Sequence, residues 1–417
     1  MISQKTINWL IAQKKKHQLL VKVKDLNHID KWHYTNSEIY HKSKKFFKIV
    51  GIKVISNFYK DKWDQPIIIQ NESGILGIIK NKKTNKYLLQ AKVEPGNINK
   101  LQLAPTVQAT KSNYTRAHGG LKVPYIDFFL SIKKLKKYYQ SEQGFRYFRK
   151  FNANILITTS KNIQKTQNHY WFSKKEIIQL LKKKNIINMD TLSVFSAFLK
   201  NNKKDIPLNN ISYVEKWLKK FDKKYYIKTK IIKLIHLHDW KLSGKTITHK
   251  KLNHFSIIGV KVKTNNREVE KWQQPIIKGK KMAFAGLIKT KINDTSHYLF
   301  RYLLKPGLKS SALGCTINSS DILNYKKKKL SNLEKIFFSK KKKKEIIYKN
   351  IISDEGGRFY HCQIKYCVIK INLDEFDTLP CNYIWLSYNQ ILRMIKNKRL
   401  DIESRMLFAC DNIKNLK

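Results

Sequence analysis

The chain has 417 residues and a formal net charge of +56, with 85 Lys and Arg against 29 Asp and Glu. Hydrophobic residues make up 42% of it and aromatic residues 12%, which excludes a wholly disordered chain and predicts two or three domains. No apolar run approaches the roughly 20 residues that a membrane-spanning helix needs, and the first residues show no secretory signal, so we expect a cytoplasmic protein that does not enter a membrane.

The predicted elements alternate between runs of strands and runs of helices. Runs rich in β-branched and aromatic residues predict strands, and apolar residues at helical spacing predict helices. In chain order these are the helix WLIAQ (9–13), the strands FFKIVGIKVIS (46–56), PIIIQ (66–70), ILGIIK (75–80), YLLQAKV (87–93) and NANILITT (152–159), and the helices KKEIIQLLKKK (174–184), VEKWLKKF (214–221) and YNQILRMIKNK (388–398). KTNK (83–86) and EPGN (94–97) are typical turns, and the polar segment 201–211 is typical of a linker. Strands followed by helices predict an α+β fold.

The chain repeats itself. All eight Trp fall into four pairs separated by 208, 208, 209 and 214 residues: Trp9/Trp217, Trp32/Trp240, Trp63/Trp272 and Trp171/Trp385. WDQPII at 63–68 matches WQQPII at 272–277, and SEQG at 141–144 matches SDEG at 353–356. This register predicts a tandem duplication with halves of 1–208 and 209–417.

The two halves differ most over residues 90–129, which correspond to 300–325 in the second half. Glu94 in the first half aligns with Lys305, and the stretch RAHGG at 116–120 has no counterpart. A duplicated domain can lose its chemistry when the other copy retains it. We therefore predict that the first repeat is catalytic and that the second is degenerate and mainly structural.

Polar side chains in this segment suit a polyhydroxylated ligand. Alternation along a strand places Gln90, Lys92 and Glu94 on one face. Amides both donate and accept hydrogen bonds, as sugar hydroxyls require, while aromatic rings stack on flat groups and an arginine can hold a phosphate. No Gly-rich phosphate loop is present, so phosphates would be held by side chains.

The sequences WDQPIIIQNESGILGIIK (63–80), YLLQAKVEPGN (87–97), QLAPTVQATKSNYTRAHGG (102–120) and VPYIDFF (123–129) closely resemble the NDP-hexose 2,3-dehydratases of deoxysugar biosynthesis. The resemblance extends over essentially the whole chain and includes the repeat itself. It implies two Nudix-like domains, each a mixed, mostly antiparallel sheet with flanking helices, commonly assembled as a homodimer. The Nudix catalytic signature is absent, so a shared fold does not imply pyrophosphate hydrolysis.

The reaction that the resemblance implies is loss of water across carbons 2 and 3 of an NDP-4-keto-6-deoxyhexose, typically dTDP-4-keto-6-deoxyglucose. The 4-keto group acidifies the proton on carbon 3, and the 2-hydroxyl then leaves. The product is a 3,4-diketo-2,6-dideoxyhexose, which a partner 3-ketoreductase would reduce. No cofactor is expected, since the substrate carries its own electron sink. No metal is expected either, because the five Cys form no CxxC or Cys/His cluster.

Several residues are candidates for this chemistry. We expect His118, Glu94 and Tyr114 to be catalytic, with His118 favoured because a free imidazole titrates nearest neutrality. The candidates for substrate binding are Lys92, Gln108, Thr110, Asn113, Arg116, Gln65, Trp63 and Arg146. Alternatives remain open: His118 and Glu94 each adjoin a turn, and Tyr114 and Trp63 have repeat mates, which favours packing.

Two other classes of function compete with the dehydratase. A pI near 10 is typical of nucleic-acid-binding proteins, but the excess is mainly Lys, spread along the chain with abundant Ile and Asn, as AT-rich codons supply. The Lys runs at 326–329 and 340–344 indicate solvated loops. A catalytically degenerate sugar-nucleotide scaffold is the other alternative. The family carries an Arg in the closing motif of each half, whereas this chain has Leu192 in the first and Arg405 in the second.

Overall fold

The computed structural model describes residues 2–117, 119–132, 135–252, 254–319, 331–339, 344–373, 376 and 378–417. The Lys run at 326–329 and all but Lys344 of the run at 340–344 lie outside the described residues. None of the described helices is long and apolar enough to cross a membrane.

Helices begin and end each half. They are α1 Gln4–Lys16, α2 Lys111–Tyr114, α3 Ile126–Leu130, α4 Lys174–Leu180, α5 Met189–Ala197, α6 Ile211–Lys224, α7 Asn332–Phe338, α8 Tyr388–Lys396 and α9 Ile402–Asn412. Side-chain caps fix several of their N-termini; Ser173, for example, forms a reciprocal capping box with Glu176 at the start of α4.

Strands fill the middle of each half. Those of residues 1–208 are β1 Leu19–Lys24, β2 Trp32–Tyr34, β3 Glu38–His41, β4 Lys48–Ser56, β5 Asp61–Ile69, β6 Gly74–Asn81, β7 Lys86–Val93, β8 Leu101–Pro105, β9 Val107–Ala109, β10 Lys137–Ser141, β11 Tyr147–Phe148, β12 Phe151–Thr159 and β13 His169–Ser173. Those of residues 209–417 are β14 Ile227–Ile232, β15 Trp240–Leu242, β16 Thr246–His249, β17 Phe255–Thr264, β18 Lys271–Gly279, β19 Ala283–Ile292, β20 Thr295–Leu303, β21 Ala312–Gly314, β22 Ile317–Asn318, β23 Glu345–Ser353, β24 Phe359–Tyr360, β25 Gln363–Lys370 and β26 Tyr383–Ser387.

The described strands form four sheets, two in each half, and the two halves have the same strand order. Most neighbouring strands are antiparallel, whereas β11 with β5, β12 with β6, and their second-half counterparts are parallel. The predicted α+β class, with a tandem duplication of mixed, mostly antiparallel sheets and flanking helices, is confirmed.

The halves exchange one strand each. β1 pairs with β17 of the second half, from Leu19 opposite Thr264 to Lys24 opposite Gly259. β14 pairs in the same way with β4 of the first half. A glycine repeats in IVGIKV (49–54) and IIGVKV (257–262), as Gly51 and Gly259, and each copy lies where the exchanged strand ends. A Cβ on Gly259 would lie 2.7 Å from the Lys24 carbonyl oxygen. The sequence repeat alone did not reveal this exchange.

The largest apolar core contains residues of both halves. It contains Leu192 and Phe195 of α5 together with Leu407 and Phe408 of α9, all fully buried. Because these helices belong to different halves, the two repeats form one packed unit.

Two equivalent turns cross between the halves. The Gly96 amide donates to the Gly356 carbonyl at 2.8 Å, and the Gly307 amide donates to the Gly144 carbonyl at 2.7 Å. A Cβ on Gly96 would lie 1.7 Å from the Phe359 carbonyl oxygen, so only glycine allows this approach. The first of these contacts brings the EPGN turn, and Glu94 with it, against the second-half turn that carries Glu355.

Candidate active site

A cavity of about 530 Å³ lies between the first-half sheet that contains β6 and β7 and the second-half strands β17 and β18. One end is formed by buried ionisable side chains: Lys92, Glu94, Glu142, Lys150 and Asp190. The other end is formed by exposed lysines, namely Lys31, Lys42, Lys261 and Lys271. The cavity therefore runs from a buried, carboxylate-rich end to a basic mouth.

Glu94 is the centre of the buried end. It follows β7 and is 3% exposed. Its Oε1 lies 3.1 Å from Nη1 of Arg267 and 3.8 Å from Nζ of Lys92. The same oxygen accepts a hydrogen bond of 3.4 Å from Nε2 of Gln108. Two cations and one amide thus surround this carboxylate oxygen.

The two cations beside Glu94 are themselves buried. Burial, and after it the charge of Arg267, lowers the pKa of Lys92, whose Nζ donates to the Gln108 carbonyl at 2.8 Å. Burial opposes the charge of Arg267 as well, but Glu268 and Glu94 outweigh it and raise the pKa of this guanidinium. Lys92 is therefore the more easily deprotonated of the two.

Arg267 reaches Glu94 from the loop between β17 and β18. In this loop the Asn266 side-chain oxygen accepts from the Val93 amide at 2.7 Å, which fixes the loop on β7. Counted from Gly51 to Trp63 against Gly259 to Trp272, the equivalent first-half segment is one residue shorter, and its loop carries Phe58 and Tyr59. That one-residue insertion is the shift from 208 to 209 in the Trp register, so the sequence contained a signal for this loop.

Three further carboxyl groups line the buried end. Burial raises the pKa of Glu142 and raises that of Asp190 well above its ordinary value. Burial and then the charge of Glu94 raise the pKa of Glu355 to about 7. Burial lowers the pKa of Lys150 to about 8. Glu355 and Lys150, whose pKa values lie near neutrality, are suited to acid–base chemistry.

The structure brings together five of the eleven candidate residues. Lys92, Glu94, Gln108, Thr110 and Asn113 line the cavity. They come from β7, β9 and the start of α2, which is the segment where the two halves differ most. Their catalytic and binding roles stay predictions.

Five other candidates lie away from the cavity lining. Trp63 and Gln65 are core residues, with the Trp63 indole donating to Gln65 Oε1 at 2.9 Å and Gln65 Nε2 to the Phe145 carbonyl at 2.7 Å. The Arg146 guanidinium stacks over the Phe255 ring at 4.4 Å. Tyr114 packs half-buried against an apolar cluster, and Arg116 is exposed with a φ of 57°.

His118, the favoured catalytic candidate, lies outside the described residues, as does Tyr325, the repeat mate of Tyr114. Ala117, which precedes His118, lines the cavity. Arg267, Glu355, Glu142 and Asp190 are not among the candidates selected from the sequence. Three of them belong to motifs that the sequence shows: Glu142 to SEQG (141–144), Glu355 to SDEG (353–356) and Asp190 to NMDTL (188–192), the closing motif that contains Leu192. In the described ranges, no group of three or more His, Cys, Asp or Glu side chains is arranged to hold a metal ion.

The second half has a different arrangement at the place of Glu94. Lys305 Nζ lies 3.0 Å from Asp401 Oδ2 and 3.0 Å from Glu403 Oε2, and all three side chains are buried. Leu303 stands where the first half has Lys92. This half therefore neutralises its own carboxylates internally at the position where the first half faces a cavity.

Comparisons with known proteins identify the family. A family model described as NDP-hexose 2,3-dehydratase matches residues 3–198 and again residues 211–410. The chain belongs to the NDP-hexose 2,3-dehydratase family. The double match coincides with the tandem duplication, and both cavity walls lie within the matched residues.

Curated relatives of this dehydratase family match almost the whole chain. Proteins named dTDP-4-dehydro-6-deoxy-alpha-D-glucopyranose 2,3-dehydratase from Saccharopolyspora spinosa and Amycolatopsis orientalis are 30% and 31% identical to it. They cover 91% and 92% of this chain and are covered over 85% and 84% of their own lengths. A protein of the same name from Streptomyces violaceoruber is 29% identical over 96% of this chain and 95% of its own.

Two solved structures align with part of the chain. The C. elegans Ap4A hydrolase is 16% identical, with a TM-score of 0.18, over 29% of this chain and 86% of its own. An ADP compounds hydrolase is also 16% identical, with a TM-score of 0.20, over 35% of this chain and 76% of its own. With TM-scores this low, the two structures give no information about the activity of this chain.

Proposed function

We propose that this chain removes water across carbons 2 and 3 of an NDP-4-keto-6-deoxyhexose, with dTDP-4-keto-6-deoxyglucose as the substrate. The observation that carries the proposal is the position of Glu94 at the buried end of the cavity, between Arg267 and Lys92. Family membership and the names of the curated relatives support the same reaction.

The chemistry needs a base, a cation near the ketone and an acid. Glu94 is suited to remove the proton on carbon 3, because it is a carboxylate at the buried end of the cavity. The charge that develops on the 4-keto oxygen is offset by the cations of the buried end, Lys92 and Lys150. Loss of the 2-hydroxyl as water then leaves an enol, which tautomerises to the 3,4-diketo-2,6-dideoxyhexose.

The nucleotide would occupy the mouth. Exposed lysines at 31, 42, 261 and 271 suit the diphosphate, and the rings of Trp32, Phe46 and Trp272 offer flat apolar surfaces for the base. Thr110 and Asn113 lie on the cavity wall, where their side chains suit sugar hydroxyls. This orientation places the hexose toward Glu94.

The test is turnover of dTDP-4-keto-6-deoxyglucose by the purified protein, with a 3-ketoreductase and reduced nicotinamide present to trap the product. We expect mass spectrometry to detect the 2-deoxy sugar nucleotide. Removing one positioned acid or base costs about 10²–10⁴ in rate, so Glu94→Ala and His118→Ala are compared with the wild type. Glu345→Ala, at a carboxylate that is 65% exposed, is the matched control and should retain full activity.

Absence of product despite binding of the sugar nucleotide would favour the degenerate scaffold. Absence of both binding and product would contradict the dehydratase proposal and favour the nucleic-acid alternative, which a salt-titrated gel shift tests directly.

The setting of the enzyme is also proposed. Its diketo product would be the substrate of a partner 3-ketoreductase, and we propose that the protein is a cytoplasmic homodimer. We propose that the first repeat carries the base Glu94, and that the second repeat is mainly structural apart from the side chains, such as Arg267, that it places in the cavity. Light scattering after gel filtration would measure the mass, and a monomer would contradict the homodimer.

A further inference from the structure

Glu355 of the second half lies close to Glu94 in the cavity lining. It lies in the turn after β23, is half-buried and lines the cavity. A Cβ on Gly357 would lie 2.2 Å from Glu355 Oε1 and 3.5 Å from Glu94 Oε1, so these two oxygens are within 5.7 Å of each other, the sum of the two distances. Gly357 therefore leaves the space in which the two carboxyl groups approach.

The other oxygen of Glu355 is held by a hydrogen bond. The Tyr147 hydroxyl donates to Glu355 Oε2 at 3.2 Å. Burial, with the Glu355 charge second, raises the pKa of Tyr147 well above its ordinary value, so the hydroxyl remains a donor. This contact orients the carboxyl group and leaves Oε1 on the side of Glu94.

We infer that Glu355 is a catalytic residue, the acid that protonates the departing 2-hydroxyl while Glu94 acts as the base; this role rests on the dehydratase function proposed above. Glu94 takes the proton from carbon 3, and the electrons of that bond form the enolate. The enolate electrons then form the double bond between carbons 2 and 3, the bond from carbon 2 to oxygen breaks, and the proton of Glu355 leaves with the oxygen as water. Glu94 afterwards loses a proton to solvent and Glu355 gains one, so no oxidant or reductant is needed.

The charges around Glu355 fit the role of an acid. The groups that face it are the carboxyls of Glu94, Glu142 and Asp190, the cations of Lys92, Lys150, Arg267 and Arg358, and the Tyr147 hydroxyl. Burial and then the Glu94 charge raise the pKa of Glu355 to about 7, against the opposing charge of Arg358. A substantial share of Glu355 is thus protonated at neutral pH, whereas Glu94 lies beside the cations of Arg267 and Lys92.

The test separates the acid from the base. Glu355→Gln keeps the size of the side chain and removes its acid, and we expect kcat to fall by about 10²-fold or more with KM changed less than threefold. In the wild type, kcat should fall as pH rises through about 7, and the residual activity of Glu355→Gln should not show this decline. Exchange of the hydrogen on carbon 3 with deuterated solvent, which needs only the base, should persist in Glu355→Gln and disappear in Glu94→Gln.

One further variant is a control, and another tests the hydrogen bond that positions Glu355. Asp354→Asn removes the neighbouring carboxyl, whose pKa burial also raises to about 7 but which is not part of the cavity lining, and it should leave the pH profile unchanged. Tyr147→Phe removes the hydrogen bond that positions Glu355, and it should shift the pH midpoint and lower kcat by about tenfold with KM retained.

The possible results distinguish the role of Glu355 from the proposed dehydratase function. Loss of elimination with retained exchange in Glu355→Gln supports the inference, and the exchange itself demonstrates a folded active site. Wild-type dehydration with Glu355→Gln within threefold of it, or loss of exchange together with elimination, would overturn the role of Glu355 alone. No dehydration by the wild type would overturn the proposed function and this role together.

Discussion

Lys305→Met tests whether the second half is internally neutralised at the place of Glu94. Lys305 lies 3.0 Å from both Asp401 and Glu403, and the three side chains are only 1–2% exposed. Removing one partner of a buried ion pair costs about 3–5 kcal/mol, because the remaining charges have neither water nor a counter-ion. With an unfolding entropy of about 2.1 cal/mol/K per residue over 417 residues, this corresponds to a fall in Tm of about 3–6 °C.

Calorimetry and urea unfolding across pH measure this cost. Burial opposes ionisation of Asp401, but the charge of Lys305 and the hydrogen bonds from Ser404 together outweigh it and lower the pKa of Asp401. A carboxyl group with a lowered pKa stabilises the fold above about pH 4 and loses that contribution as pH falls through its folded value. The difference in unfolding free energy between the variant and the wild type should therefore be largest at pH 7 and should become smaller in acid.

The triple variant Lys305→Met, Asp401→Asn, Glu403→Gln is the matched control. It removes the charges together and should recover most of the loss, since a neutral cluster leaves no uncompensated ion. The electrostatic reasoning would be refuted if Lys305→Met lowered the Tm by less than about 1 °C at pH 7, or if the difference in unfolding free energy from the wild type stayed constant in acid.

Three further predictions follow from the described contacts. Arg267→Ala should lower kcat/KM by about 10²-fold because it removes one cation from Glu94. Lys263→Ala, at an exposed lysine of β17 just before the Arg267 loop, should stay within twofold of the wild type in the same steady-state kinetics. Gly96→Ala should abolish folding or sharply lower Tm, since its Cβ would meet the Phe359 carbonyl at 1.7 Å, while Gly119→Ala, with φ of 71° and open space, should cost about 1 kcal/mol. Burial opposes ionisation of Glu176, but hydrogen bonds from Thr6 and Ser173 lower its pKa to about 2. Glu176→Gln should therefore lower the free energy of unfolding, measured in urea, by about 2 kcal/mol above pH 4, and this free energy should match that of the wild type near pH 2. A constant difference across that range would contradict it.

Local patterns predicted the elements of the fold well. The β-branched runs became β4 to β7 and β12, and the apolar spacing at 174–184 and 388–398 marks α4 and α8. The duplication could be found because both copies lie in one chain and their tryptophans keep register. The exchange of β1 and β14 could not, because the repeats are so similar that either strand fits beside β4 or β17 on sequence alone.

The sequence could indicate candidate site residues within one half but not those that reach the cavity from the other half. Lys92, Glu94 and Gln108, which line the cavity, could be selected because they lie where the repeats diverge, and their roles stay predictions. Trp63 and Gln65 have equivalents in the other half, and the structure places Trp63 and Gln65 in the core. Arg267 and Glu355 reach the cavity only through packing of one half on the other, which no local pattern encodes.

The exchanged strands constrain how such a chain can arise or be divided. Cutting it in the polar segment 201–211 would give two fragments, each with a strand that belongs in the other's sheet. A fragment produced alone would expose the backbone of β4 or β17 as an open edge, where a second copy could donate the missing strand. A single-repeat ancestor built in this way would have been an intertwined pair of identical subunits, and gene fusion would have made that pairing permanent while freeing each copy to diverge.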